Sequence, residues 1–220
     1  MASLVVEASI GFLSIAIIDN DKLILEENKQ CNNNLSEIIL HEIDSSIKKA
    51  GLDKNDITEI IVTKGPGSYT AIRIVLAIAK TFSFVLNIPI KVLSTLRLLS
   101  AGVDNKDKLT VPLIDARRNH VYGAVYLNDK EILKENYYDL NDILAFLEKY
   151  DKEIVFVGVD INKFDYEKFN KEYKLFNQYA YAKNYLLVKK YVEKTDYFNA
   201  IPSYLRLTEA ERKLLNDKNR

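Results

Sequence analysis

The sequence holds one cysteine, Cys31, and two histidines, His41 and His120, in 220 residues. A lone thiol cannot close an intramolecular disulfide, which points to a reducing, cytoplasmic compartment. Cys31 lies among Asn32, Asn33 and Asn34, with no adjacent cation to lower its pKa, and reads as an incidental thiol. The histidines stand far apart without a ligand-spaced companion, so neither a zinc site nor a Ser-His-Asp triad is expected. Charge of one sign is also missing. The 31 basic and 31 acidic residues cancel, which leaves no global basic field for nucleic acid. The longest apolar run, around Ile74 to Leu86, is broken by Lys80 and falls short of the roughly 18 residues a membrane helix needs. Met1 to Glu7 lacks a charged n-region and reads as a first strand, not as a secretory leader. Metal, cofactor and membrane are therefore not expected.

What is present is the composition of a soluble globule, with 48% hydrophobic and 28% charged residues. A chain of this length buries about 70% of its unfolded surface, so a sizeable core is available. Leu4 to Val6, Leu13 to Ile18 and Lys22 to Glu26 read as a β-meander. From Leu35 the apolar period changes to three and four (Leu35, Ile38, Ile39, Ile43, Ile47, Ala50), which predicts an amphipathic helix ended by Gly51. Ile57 to Val62 predicts another strand, then Gly65-Pro66-Gly67 a turn, then a helix from about Thr70 to Leu86 before Pro89. The order is βββαβα. The second half repeats it: Asn20-Asp21-Lys22 matches Asn128-Asp129-Lys130, and Ile24-Leu25 matches Ile132-Leu133, at one offset of 108 positions that also carries Glu7-Ala8 onto Asp115-Ala116. A short helix around Leu140 to Tyr150 follows, and then Glu153 to Phe156 echoes Glu59 to Val62. Internal duplication explains this pattern. Two facing halves, 1–105 and 106–220, resemble the α/β actin-like ATPase superfamily, a duplicated ribonuclease H-like βββαβα fold. The tail 205–220 is a charged helix candidate that could pack back on the first half.

Several motifs admit two readings. A helix N-terminus behind Gly65-Pro66-Gly67-Ser68 could cradle phosphate. Thr70, however, replaces the third glycine of a dinucleotide fingerprint and no phosphate-loop Gly-Lys pair exists, so the plain alternative is a tight turn with Ser68 or Thr70 as helix cap. Glu7 and Asp115 could serve as metal or base groups in an ATP cleft. The neighbouring Ala8-Ser9-Ile10 and Ala116-Arg117-Arg118 lack the small residues expected for backbone contact with phosphates, which favours acids bound to nearby turn amides. The helix after the glycine turn is apolar almost all round, whereas a helix on a single sheet shows one stripe. It is either enclosed within the chain or its outer face meets another protein. Arg117 and Arg118 could grip phosphate or a partner carboxylate. Tyr122, Tyr137 and other second-half tyrosines, interleaved with lysines, could stack on RNA bases or serve as core-edge residues.

Gly65-Pro66-Gly67-Ser68-Tyr69-Thr70 with Arg73-Ile74 resembles the G-P-G-S-[FY]-T-G-[LV]-R-[IV]-G signature of the TsaB (YeaZ) family. Ser94-Thr95-Leu96, Asp115-Ala116-Arg117 with Val121-Tyr122, and Pro202, Tyr204-Leu205-Arg206 with Ala210-Glu211 are similar to its later segments in the same order. The first turn departs from the family's D-T-[AS]-T, and Ala71 and Val75 replace two signature glycines. The resemblance implies a non-catalytic scaffold of actin-like fold that dimerises with TsaD through its first two helices. It also implies recruitment of the ATPase TsaE and synthesis of threonylcarbamoyladenosine at tRNA position 37. It places the partner surface at Leu35, Ile38, Ile39, His41, Glu42 and Ser46 on the first helix. On the second it places Thr70, Arg73, Ile74, Ala77, Ile78 and Thr81. Glu7, Ser9, Asp115 and Arg117 fall at vestigial nucleotide-site positions. Where TsaD carries two metal-binding histidines on its first helix, this chain offers Asn34 and His41, so no metal or cofactor is implied. tRNA is reached through the complex, and a homodimer also fits. The alternatives are an actin-like ATPase or kinase, a peptidase-like enzyme, and a homodimeric module acting on something other than tRNA.

Overall fold

The computed structural model describes residues 2–206 except 32, 105, 129 and 160. The proposed tail helix therefore lies almost wholly outside the described residues, as do Ala210 and Glu211. Leu205 and Arg206, which are described, are not helical.

Strands β1 (Ala2–Glu7), β2 (Phe12–Asp19) and β3 (Lys22–Gln30) form the expected meander. Its tight β2–β3 turn has positive φ at both Asn20 and Asp21, the geometry that short polar side chains tolerate and that matches strand twist. Helix α1 (Leu35–Lys49) buries Leu35, Ile39, Ile43, Ser46 and Ile47, a stripe at spacings of three and four. Strand β4 (Ile57–Thr63) runs parallel to β1, and β5 (Ile90–Leu93) runs parallel to β4. Helix α2 (Tyr69–Leu86) crosses between them; Ser68 accepts the Ala71 amide at its start, and Asn87 in the left-handed conformation ends it. The cap reading of the glycine turn is thus the one found. α2 covers 18 residues with mean hydropathy 1.6, long and apolar enough to cross a membrane. This corrects the expectation that the run is too short: the helix begins at Tyr69, and the run keeps its apolar average across Arg73 and Lys80. It lies instead on the sheet, with Ala71, Ile72, Val75, Leu76, Ala79 and Ser83 buried.

After α3 (Thr95–Ser100) the pattern repeats with β6 (Leu109–Asp115), β7 (His120–Leu127), β8 (Lys130–Asp139), α4 (Leu140–Leu147), β9 (Ile154–Gly158) and β10 (Tyr173–Asn177). Strand order is β3-β2-β1-β4-β5 in one sheet and β8-β7-β6-β9-β10 in the other, so the duplication is topological and the fold is actin-like. Asn128 repeats the positive φ of Asn20. One expected element is missing. Between β9 and β10, where βββαβα requires a second helix, the described residues form a single 3-10 turn at Ile161–Lys163. Residues 159–172 carry two short apolar pairs at a spacing of three, Ile161–Phe164 and Tyr166–Phe169, that do not join into one stripe; Ile161, Tyr166 and Phe169 are buried in the second core.

The chain then returns. The short α5 (Tyr185–Val188) packs Tyr185 and Val188 with Val5, Ala16 and Ile61 on the inner face of the first sheet. β11 (Glu193–Thr195) pairs antiparallel with β5, and Ala200 is buried in the first core. Residues 193–195 and Ala200 thus join the first sheet and its core, although they follow the second sheet in the chain. The β5 edge and the core beneath it need covering, and this segment supplies both.

Candidate functional site

The two acid-bearing turns face each other across a cleft of about 810 Å³ lined by Ser9, Gly67, Ser68, Asp115, Arg117 and Tyr122, among others. At the end of β1, Glu7 is buried, and each of its oxygens is bound by the protein itself. Oε1 accepts the Ser9 amide at 2.7 Å and the Ser9 hydroxyl, and Oε2 accepts the Thr63 hydroxyl. Ser9 Oγ also lies 2.9 Å from Thr95 Oγ1. Burial raises the Glu7 pKa to about 7 against the opposing effect of these hydrogen bonds. At the end of β6, Asp115 accepts the Arg117 amide at 2.7 Å in the same two-residue pattern, but it is exposed. Both acids thus bind nearby turn amides.

The glycine turn closes over the first acid. The Ser68 amide donates to Ser9 O at 2.6 Å, and a Cβ on Gly67, at φ +156°, would sit 2.4 Å from that oxygen. Only glycine allows this approach. Gly65 O accepts the Thr95 amide at 2.9 Å, while Ser94 caps α3 and donates to Glu135 Oε2 at 2.6 Å across the inter-half boundary. Tyr126, fully buried, donates to Glu135 Oε1 and lies against the Arg97 guanidinium, 3.7 Å from the ring centroid. Burial pushes the Tyr126 hydroxyl far above its ordinary value. These bonds tie the second-half β8 to the turn that holds Glu7, and they make the Ser94-Thr95-Leu96 segment structural.

The residues expected to face a partner divide into three groups by burial. Leu35, Ile39 and Ser46 are buried beneath α1 and cannot contribute; this corrects their placement on the surface, because they form the stripe that seats α1 on its own sheet. Thr70, Arg73, Ala77, Thr81 and His41 are exposed, and Ile38, Glu42, Ile74 and Ile78 are half-buried. Ile74 and Ile78 pack sideways against the first core. The exposed face of α2 is strongly apolar, with Tyr69 at 55%, Phe84 at 69% and Val85 at 68% exposure, and α1 beside it presents Leu40 at 58%. The C-terminal segment extends this face. Tyr204 stacks on Tyr69 at 5.4 Å and receives a 2.8 Å hydrogen bond from Arg73, whose guanidinium lies 3.8 Å over the Tyr69 ring; Tyr197 meets Phe84 edge-on.

Sequence reasoning missed Thr63, which satisfies Glu7, and did not place Phe84 and Val85 on the outer face; Tyr204 was visible as part of a motif but not as a partner of Tyr69 and Arg73. The all-round apolar character of α2 was the signal for Phe84 and Val85. Nothing in the linear pattern pairs Thr63 with Glu7. Among the described residues no group of three or more His, Cys, Asp or Glu is placed to hold a metal ion. Cys31 is half-buried, and burial pushes its thiol up, away from reactivity.

Comparison with known proteins places this arrangement. The family model described as TsaD, tRNA N6-adenosine threonylcarbamoyltransferase, matches residues 28–214. The tRNA threonylcarbamoyladenosine biosynthesis protein TsaB of Bacillus subtilis is 31% identical over 99% of this chain and 100% of its own length. The protein of the same name from Escherichia coli is 29% identical over 59% of this chain and 57% of its own. Two Pseudomonas aeruginosa structures, YeaZ and a protein described as similar to peptidase YEAZ, superpose with TM-scores of 0.73 and 0.77. Each covers 93% of this chain and 99% of its own, at 19% and 20% identity, and so speaks for the fold alone.

Proposed function

Because this chain belongs to the TsaB (YeaZ) family of tRNA threonylcarbamoyladenosine biosynthesis proteins, we propose that it serves that synthesis in the cytoplasm as a non-catalytic scaffold. In this reading it binds and stabilises a TsaD transferase and recruits TsaE. The observation that carries the reading is the outer face of α2. An 18-residue helix that seats one stripe on its own sheet still leaves Tyr69, Phe84 and Val85 more than half exposed beside Leu40 of α1. Large apolar side chains left this exposed mark a candidate interface. Ala77 and Thr81, small and exposed on the same helix, permit close helix approach. A contact of about 800 Å² per side is the usual size for a specific complex.

The turns speak against catalysis by this chain. Glu7 has both oxygens bound internally, Ser9 is held between Glu7 and Thr95, and Gly67 lies against Ser9 O, which leaves the first turn little capacity to bind a metal-nucleotide. A scaffold acts through its binding free energy for a competent partner, without proton or phosphate chemistry of its own.

Reconstitution tests this. With TsaD, TsaE, threonylcarbamoyl-adenylate and unmodified tRNA, omission of this chain should stop adenosine modification, read by mass spectrometry of tRNA nucleosides. Ala77→Asp or Val85→Asp should behave as the omission does, because each places a carboxylate in the contact without touching the core. Ile78→Asp is a poorer probe, since Ile78 also packs on the core. Full modification without the chain would falsify the proposal.

A further inference from the structure

The turn between β6 and β7 carries a feature that the scaffold role does not use. Arg117, Arg118 and Asn119 have φ of 68°, 56° and 60°, three successive residues in the left-handed region. Asparagine accepts this conformation readily. Arginine does so at a cost, and glycine would avoid it. The turn is pinned on every side: the Asp115 carboxylate holds the Arg117 amide, Arg117 O accepts the His120 amide at 3.1 Å, and Asn119 O accepts the Leu140 amide at 2.9 Å. Its backbone is therefore fixed, and both guanidinium-bearing side chains are exposed. Strained backbone held this firmly points to a use for the side chains it presents.

Beside the turn stands a column of flat groups. His120 stacks on Tyr137 at 4.8 Å and 15°, Tyr122 lies 5.7 Å from Tyr137, and the Arg206 guanidinium arrives from the far end of the chain, 5.0 Å from the Tyr137 centroid. Arg117, Tyr122 and Arg206 line the same cleft. Two acids line it as well, each already accepting a backbone amide: Asp115 from Arg117, and Asp165 from Glu167. Asp139, next to the turn, accepts Asn119 and Asn141.

We infer that this rim, built on Arg117, Arg118 and the His120–Tyr137–Arg206 column, contacts single-stranded RNA directly, the guanidiniums taking phosphates and the column taking an unpaired base. The inference rests on the tRNA-modification reading above and deepens it. Guanidinium forks match phosphate geometry, and unstacked loop bases pair with aromatic or guanidinium planes. The chain as a whole is charge-neutral, so the contact is local and weak in the isolated protein.

The test is fluorescence anisotropy with a labelled, unmodified tRNA transcript, titrated with the full chain alone and with its assembled TsaD complex at two salt concentrations. Arg117→Ala with Arg118→Ala should weaken binding about tenfold and lower the salt-dependence slope by about 1.5, as expected when two phosphate contacts are removed. Tyr137→Ala should weaken it and Tyr137→Phe restore it. Arg118→Gly separates binding from folding: it relieves the strained backbone, so it should melt no lower than the parent while still losing affinity. Association with TsaD, read by size exclusion, should be unchanged in all four. Unchanged tRNA affinity in the double variant overturns the inference. So does loss of TsaD association in these variants, which would make the rim a protein contact. Failure of Ala77→Asp to disrupt the complex sinks the scaffold reading but leaves the rim result standing.

Discussion

In the first half the turn acid is sealed beneath the glycine turn; in the second the equivalent acid stands at the cleft rim in solvent. One hydrogen bond is common to both, a carboxylate accepting the amide two residues on, but the second turn alone runs through three successive left-handed residues. The surroundings differ. Glu7 has Thr63, Ser9 and the close approach of Gly67, whereas Asp115 is followed by two exposed arginines. A duplicated scaffold thus keeps one carboxylate–amide bond while burial and turn conformation both diverge around it. The connections differ too: α2 crosses in the first half, and the described residues of the matching connection in the second form the turn at Ile161–Lys163.

The largest expected effect breaks the seal itself. Gly67→Ala should cost roughly 3 kcal/mol in urea unfolding, because its Cβ meets Ser9 O at 2.4 Å on a backbone that disfavours any side chain. Gly11→Ala, also at positive φ but with nothing within 4 Å, should cost about 1 kcal/mol. Equal losses would show that the seal is not tight.

Next comes protonation. The folded pKa of Glu7, about 7, lies above its ordinary 4.5, so the folded state holds the proton more tightly. Its contribution is fully present below pH 4.5 and is lost as pH rises through about 7, a change on the order of 3 kcal/mol. Stability measured across that window should fall with pH in the parent and flatten in Glu7→Gln. Asp115→Asn should leave the slope as it is. A parent whose stability is level from pH 4.5 to 7 removes the distinction between the two acids. Glu7→Ala is less informative, since it leaves the Ser9 and Thr63 hydroxyls without their buried partner.

The smallest effect concerns the segment that only the first half receives. Arg73→Ala removes the hydrogen bond to Tyr204 and the stack on Tyr69. Limited trypsin digestion should then release the C-terminal segment faster, with little change in global melting. An unchanged digestion rate would mean that β11 and Ala200 hold the segment without it.

Most of the fold was legible because it is written in local period. The meander, α1, β4 and α2 follow from alternation and from spacings of three and four, and the repeat was visible as Asn20-Asp21 against Asn128-Asp129. What was not legible depends on contacts distant in sequence. The expected helix after β9 failed because 159–172 fills its core with single residues such as Tyr166 and Phe169, not with a stripe. The return of β11 to β5 pairs residues about a hundred positions apart, and three residues show no period. At the site, the glycine turn and both acids were visible as motifs, yet the Thr63 bond that satisfies Glu7 spans 56 positions. Leu35, Ile39 and Ser46 were placed on the partner surface because the resemblance implies the helix and not which of its faces; the apolar period had already put Leu35 and Ile39 in the stripe that meets the sheet. Phe84 and Val85, outside the expected set, are what the outer face exposes.

The pairing of β11 with β5 bears on the order in which a newly made chain can finish its parts. Residues 193–200 are synthesised after every strand of the second sheet, yet they complete a sheet whose other strands all precede residue 94. Until they emerge from the ribosome, the outer edge of β5 has unpaired backbone groups and the core beneath lacks Ala200 and Tyr197. The half made first is therefore the half completed last, and the usual vectorial order, in which an N-terminal unit settles before the next begins, does not apply here. A fragment ending at residue 105 should show no cooperative melting transition, whereas the full chain should unfold in one.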